Sequence, residues 1–340
     1  MHNDLHVSRS TRLSTVAMLL LAILLVVMAA APWWAGRADL RLFGEIFLYL
    51  SLACLWNLLA GYAGLVSVGQ QAYVGFGGYM LFALTMLAGL HPVVVLPIVL
   101  VLGALIAAPV AVLIFRLRGA YFAIGTWVIA EVFRLGFAQI SALGGGSGSS
   151  LSVNVVRSLA SGRDGREAVA YWLALGVAVL VTGLVFFYMR SRQGVALMAI
   201  RDNELAAKSL GIDIWRTKFL VYVVTGGLTS LVGALIFLQK LRISPDAAFS
   251  VNDWTAFVIF IVVIGGIGTL EGPIIGTIAF FVLRETLADY GTLYLIALGL
   301  VAIVIMLKAP KGLWGLVRGK HSIELFPLSL AVRNIRQEKN

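Results

Sequence analysis

Three groups of residues in this 340-residue chain have the types and spacing to do chemistry in an apolar setting. The first is neutral and polar: Ser67, Gln70, Gln71 and Tyr73, at near-helical spacing in the Gly-rich stretch 61–79, with Thr126 in a later apolar run. Inside a bilayer such groups bond a neighbouring helix or line a water-filled path, and both readings fit. The second is Glu131 with Arg134. Residues at i and i+3 share a helix face, so the pair predicts a structural bridge, whereas an isolated intramembrane Glu would suggest proton coupling. The third is the segment 199–212. Asp202 or Asn203 can cap a helix start after Arg201, and Glu204 suits the positive end of the dipole. Leu205, Ala206, Ala207 and Leu210 then favour helix, and Gly211 is a natural terminator. The expected product is a two-turn helix, too short to be stable alone. It needs something to dock on.

Other chemistry is excluded by composition and placement. Cys54 is the only cysteine, and the four histidines (His2, His6, His91, His321) are scattered, so neither a disulfide nor a metal site has suitable spacing. The run Gly144-Gly145-Gly146-Ser147-Gly148-Ser149-Ser150 lacks the Gly-Lys-Ser/Thr of a phosphate-binding loop and reads as a flexible external connection. No Walker motif occurs, so the chain itself is expected to be neither an enzyme nor a holder of cofactors. If ATP drives its work, another chain hydrolyses it.

The elements that must position these groups follow from the apolar runs. Hydrophobic residues make up 60% of the chain and charged residues 12%, against about 25% charged in soluble domains. That balance excludes a soluble enzyme and a disordered chain. Windows of about 20 residues can cross a ~30 Å hydrocarbon core. They fall at 13–31, 42–60, 67–88, 92–115, 119–141, 168–189, 219–239, 254–270, 272–288 and 291–308. The fold class is therefore an all-α polytopic membrane protein of about ten transmembrane helices, eight to eleven being possible because glycines and Pro273 interrupt 254–288. Residues 1–12 form a cytoplasmic N-terminus, 13–308 the transmembrane domain and 309–340 a cytoplasmic tail. The first window reads as an uncleaved span in preference to a signal peptide. Gly268, Gly272 and Gly276 form a small-residue repeat suited to close helix packing.

Charge placement orients the chain. Of the formal net charge of +10, the stretch 190–218 holds six basic and three acidic residues, and 308–340 holds seven and two. Lys and Arg beside spans resist translocation, which puts 116–118, 190–218 and 309–340 in the cytoplasm and 32–41, 142–167 and 240–253 outside. No basic stripe interleaved with aromatics appears, so nucleic acid is not an expected partner. The lipid bilayer is.

Together these stretches resemble the inner-membrane permease subunits of ABC importers for branched-chain amino acids. The resemblance spans about 42–316 and is carried by 61–79, by Tyr121-Phe122-Ala123 with Glu131 and Arg134, by the Arg201-Asp202-Asn203-Glu204 loop through Gly211, and by Ala309-Pro310-Lys311-Gly312-Leu313-Trp314-Gly315. It implies an ABC permease fold in the bacterial inner membrane. The implied partners are a paralogous permease, two ABC ATPases that bind ATP and Mg, and a periplasmic substrate-binding protein. The loop at 201–211 then resembles the ATPase-coupling helix, and Ser67, Gln70, Gln71, Tyr73 and Thr126 become candidates for the substrate path. Many relatives carry His or Tyr after the glycine that is Gly69 here, where this chain has Gln70-Gln71; urea and short-amide importers share the scaffold. An ion-coupled secondary transporter using Glu131 is the rival of another class, and a structural membrane scaffold a third.

Overall fold

The computed structural model describes residues 5–8, 12–160, 162–287, 293–309, 311–321 and 331–334. The chain is helical almost throughout. In order the helices are α1 (Arg12–Ala29), α2 (Arg37–Asn57), α3 (Gln70–Met86), α4 (Pro92–Ile114), α5 (Ala120–Ala138), α6 (Val153–Leu159), α7 (Arg163–Met189), α8 (Arg192–Asp202), α9 (Glu204–Ser209), α10 (Ile214–Lys240), α11 (Pro245–Ala248), α12 (Phe257–Gly265), α13 (Glu271–Leu287), α14 (Leu293–Lys308) and α15 (Gly312–His321). Four short strands accompany them: β1 (Leu5–Ser8), β2 (Ser149–Ser150), β3 (Arg242–Ile243) and β4 (Ala331–Asn334). β1 pairs antiparallel with β4, bringing the two terminal segments together, and β2 pairs with β3.

All ten predicted apolar windows are helical in part. Among the described residues, seven helical stretches are long and apolar enough to cross a membrane: Arg37–Tyr62, Pro92–Ile114, Ala120–Ala138, Arg163–Met189, Ile214–Lys240, Pro245–Gly265 and Leu295–Leu316. The other three expected windows fall on shorter helices. The windows at 13–31, 67–88 and 272–288 fall on α1, α3 and α13, which have 18, 17 and 17 residues. At 1.5 Å per residue, 17 residues span only about 26 Å. α3 is short because 63–69 is not helical, and α13 because the connection 266–270 precedes it.

Local chemistry sets the helix ends. His91 caps α4: its Nδ1 accepts from Val93 N at 3.3 Å while Nε2 bonds the Ser158 carbonyl at 3.1 Å, and Pro92 sits at the first helical position. Asp213 caps α10 by accepting from Arg216 N at 3.0 Å. That helix ends on Leu241 at φ 58°, a left-handed conformation costing a non-glycine residue about 1–2 kcal/mol. The strain is held by pairing, since Leu151 N donates to the Leu241 carbonyl at 3.0 Å beside the β2–β3 ladder.

α10 is the central helix, buried along most of its length against α3 and α4. Backbones meet there without side chains between them. A Cβ on Gly77 would lie 1.8 Å from the Ser230 carbonyl oxygen, and one on Gly233 would lie 2.2 Å from that of Val74. Small residues at such crossings maximise dispersion contact where lipid supplies no hydrophobic driving force.

The connections sort into two ends. At one, Arg37 pairs with Asp164 and Arg41 with Glu167, α4 is tied to Ser158 through His91, and β2 meets β3. At the other, 61–64, Arg201, 266–269 and Lys311–Gly312 lie together. This division matches the alternation expected from charge. The Gly-rich loop, by contrast, is no free tether: Gly144, Gly145 and Gly148 have positive φ, and a Cβ on Gly148 would lie 2.0 Å from the Ile243 carbonyl oxygen.

Candidate functional site

The polar cluster is built on a broken helix. α2 runs into a single π-helical turn over Leu58–Tyr62, a distortion concentrated at functional sites. Gly64, at φ 69°, then reverses the chain, and Leu65 N closes back on the Leu59 carbonyl at 2.8 Å. Residues 63–69 continue without helix, with Gly64 and Val66 exposed and Ser67 and Gly69 buried, where backbone polar groups need partners. Side chains supply several. Trp56 Nε1 donates to the Ser67 carbonyl at 2.8 Å, Val68 N to Thr126 Oγ1 at 3.0 Å and Gly69 N to Ser67 Oγ at 3.2 Å. α3 starts at Gln70 with no side-chain cap on its first turn.

All five residues of the sequence-predicted path are buried, but they do not share one surface. Ser67, Gln70 and Tyr73 line a cavity of about 10 Å³ with Trp56, Leu59, Tyr222, Thr225, Gly226 and Thr229, room for a single water molecule. Gln71 points elsewhere and accepts a hydrogen bond from Thr255 Oγ1. Thr126 braces the non-helical segment, accepting from Val68 N while donating to the Ala123 carbonyl at 2.8 Å. Tyr222, Thr225 and Thr229 of α10 were missed by sequence reasoning. They sit more than 140 residues from Gln70 in an apolar run, and their i, i+3, i+7 spacing, which puts three polar groups on one helix face, was the signal that could have marked them.

Polarity in this pocket is incompletely matched. Gln70 Nε2 donates to the Leu52 carbonyl at 3.0 Å and Tyr73 to the Tyr222 hydroxyl at 3.0 Å, but Gln70 Oε1 and Thr225 Oγ1 have no hydrogen-bond partner in the protein. An unmatched buried polar atom costs about 1–3 kcal/mol, so the pocket favours a polar occupant.

The charged pair forms as expected and has a third member. Arg134 Nε lies 2.9 Å and Nη2 2.6 Å from Glu131 Oε1, and Nη1 reaches Asp246 Oδ1 at 2.8 Å. Asp246 opens α11, so the bridge also joins α5 to the segment after β3. Glu131 is thus paired and lies away from the pocket's lining.

The loop helix is present with the predicted caps. Asn203 Oδ1 accepts from Leu205 N and Ala206 N, each at 3.0 Å. Gly211, at φ 81°, ends α9 and donates to the Lys208 carbonyl at 3.0 Å. Ala206 and Ala207 form its body, Glu204 pairs with Lys218 of α10, and Ala207 is buried. Leu205 in the first turn and Leu210 at the C-cap are 81% and 77% exposed. Arg201 and Asp202 close α8, a helix not foreseen from the sequence, which buries Gly194, Leu197 and Ile200 along one face. Arg201 Nη1 donates to the Gly61 carbonyl at 2.8 Å, so this loop touches the broken helix.

Of the glycine repeat, Gly272 and Gly276 lie in α13 and pack on α12. A Cβ on Gly276 would meet the Ile261 carbonyl oxygen at 1.9 Å. Gly268 does not continue that helix. It precedes α13 at φ 74° in the connection, and Pro273, instead of interrupting a helix, fits the first turn of one.

Residues 40–309 match the family described as branched-chain amino acid transport system / permease component. The chain belongs to this family. It is 26% identical over 328 residues to the high-affinity branched-chain amino acid transport system permease protein LivM of Escherichia coli, covering 90% of this chain and 77% of that protein. In Methanocaldococcus jannaschii it is similar both to a probable LivM permease (26% identity, 72% of this chain and 79% of the relative) and to a probable LivH permease (24%, 72% and 82%). No solved structure matches the chain. The protein is a multi-pass membrane permease, and its polar pocket and loop helix belong to a transport subunit.

Proposed function

We propose that this chain is one of two permease subunits in an ATP-driven importer of branched-chain amino acids, in the inner membrane with α8 and α9 facing the cytoplasm. The observation that carries the reading is the exposed Leu205–Leu210 face on a helix capped at both ends and braced by Lys218. Two solvent-facing leucines beside Lys208 and Arg216 suit a groove on a motor subunit. Partner ATPases would bind ATP and Mg and hydrolyse the nucleotide, and a periplasmic binding protein would deliver the amino acid. The pocket of Ser67, Gln70, Tyr73 and Thr225 would then be a closed segment of the path, widening as α3 and α10 separate.

The test is assembly. With both leucines replaced by Asp, Leu205→Asp and Leu210→Asp, the chain is expected to insert at wild-type level and lose co-purification of its ATPases. Unchanged co-purification would remove α9 as their docking site.

A further inference from the structure

We propose that Arg201 is the positioning residue through which movement of α9 reaches the polar pocket. The proposal rests on the importer reading above and goes inside it, to the atoms that transmit the stroke. Arg201 stands two residues before the Asn203 cap of α9. Its Nε and Nη2 hold Asp202 Oδ1 at 2.9 and 2.8 Å, while Nη1 reaches across the fold to the Gly61 carbonyl at 2.8 Å. Gly61 lies in the π turn that ends α2. Carbonyls at a helix C-terminus lack intrahelical donors and carry partial negative charge. A guanidinium is suited to take one while holding a carboxylate with its remaining N–H groups.

Glycines make room for this contact. A Cβ on Gly268 would crowd Arg201 Nη1 at 3.3 Å, and Gly64 supplies the positive φ that turns the chain beside Arg201. Asn57 completes the junction: its Oδ1 accepts from Gly268 N and its Nδ2 donates to the Thr269 carbonyl, both at 2.8 Å. One arginine therefore meets the α2–α3 and α12–α13 connections at once. Both are breaks in helices, where backbone shifts are absorbed most easily. From Gly61 the chain runs through the non-helical segment to Gln70 in the pocket wall, pinned on the way by Trp56 and Thr126. A displacement of Arg201 that pulls Gly61 must shift that wall or break those bonds.

The experiment uses the whole transporter, with its ATPases, second permease and binding protein, in proteoliposomes. Wild type, Arg201→Gln and Arg201→Lys are compared for assembly, ATP hydrolysis and leucine uptake. Arg201→Gln is expected to assemble and hydrolyse ATP near wild-type rates, while leucine taken up per ATP falls about tenfold, within the usual span of coupling free energies. Arg201→Lys should fall between, keeping the charge and losing the fork. A wild-type uptake-to-ATP ratio in Arg201→Gln overturns the proposal, as does loss of assembly in both variants, which would make Arg201 a structural staple. Should only Arg201→Gln fail to assemble, Arg201→Lys decides: a lowered ratio supports the link and a wild-type ratio overturns it. Failure of the wild-type chain to assemble with any ATPase would instead sink the importer reading.

Discussion

Arg134 answers to two acids, and that alters what Glu131 is worth. The side chains of Arg134, Glu131 and Asp246 are 30%, 45% and 84% exposed in the isolated chain, so each contact is partly screened. Replacing Glu131 by Gln leaves Asp246 in place, and the expected loss is about 1 kcal/mol or less. Removing both acids strands a guanidinium on an apolar helix. Glu131→Gln with Asp246→Asn should therefore destabilise by more than the two single changes added together. Thermal unfolding of the four proteins in detergent measures this, and strict additivity would show that Arg134 is solvated independently of both partners. The i,i+3 half of this cluster was legible in the sequence because helix geometry makes it local. Asp246 was not, being 112 residues away, and neither was the Thr255 that bonds Gln71.

Among the elements, those defined by local rules emerged from sequence with little change. α9 carries the Asn203 cap and the Gly211 terminator because both are properties of adjacent residues. The breaks were only partly visible. A hydropathy window at 67–88 takes in the non-helical 67–69, whereas the glycines of 254–288 did mark an interruption near the end of α12 at Gly265. What stabilises an extended backbone there is a set of distant donors and acceptors, Trp56 and Thr126 among them, which no window contains. The alternation of connections expected from charge agrees with their clustering at two ends of the bundle, and labelling decides which end faces the cytoplasm. In a Cys54→Ala background, single cysteines at Ser147 and Ser209, both exposed, should react oppositely with a membrane-impermeant reagent. Ser147 is expected to label from the periplasm and Ser209 only after the membrane is opened. Periplasmic labelling of Ser209 would invert the orientation and remove α9 from the ATPase side.

Taken whole, the molecule concentrates its burial in α2, α3 and α10 and leaves α5 and α14 largely uncovered, with Tyr121, Trp127, Val132, Ile303 and Leu307 among the exposed apolar groups. Lipid and a second permease are the surfaces that such faces suit in a two-permease importer. The energy source separates that importer from an ion-coupled carrier. Glu131, the residue that the ion-coupled reading would use, is tied to Arg134 instead of standing alone. The decisive measurement is leucine uptake into proteoliposomes holding this chain, the second permease and the ATPases, with binding protein outside and ion gradients collapsed by ionophores. Uptake that continues under ionophore and stops when ATP is withheld from the ATPase side is the predicted result. Uptake that proceeds without ATP and disappears with the ionophore would contradict it.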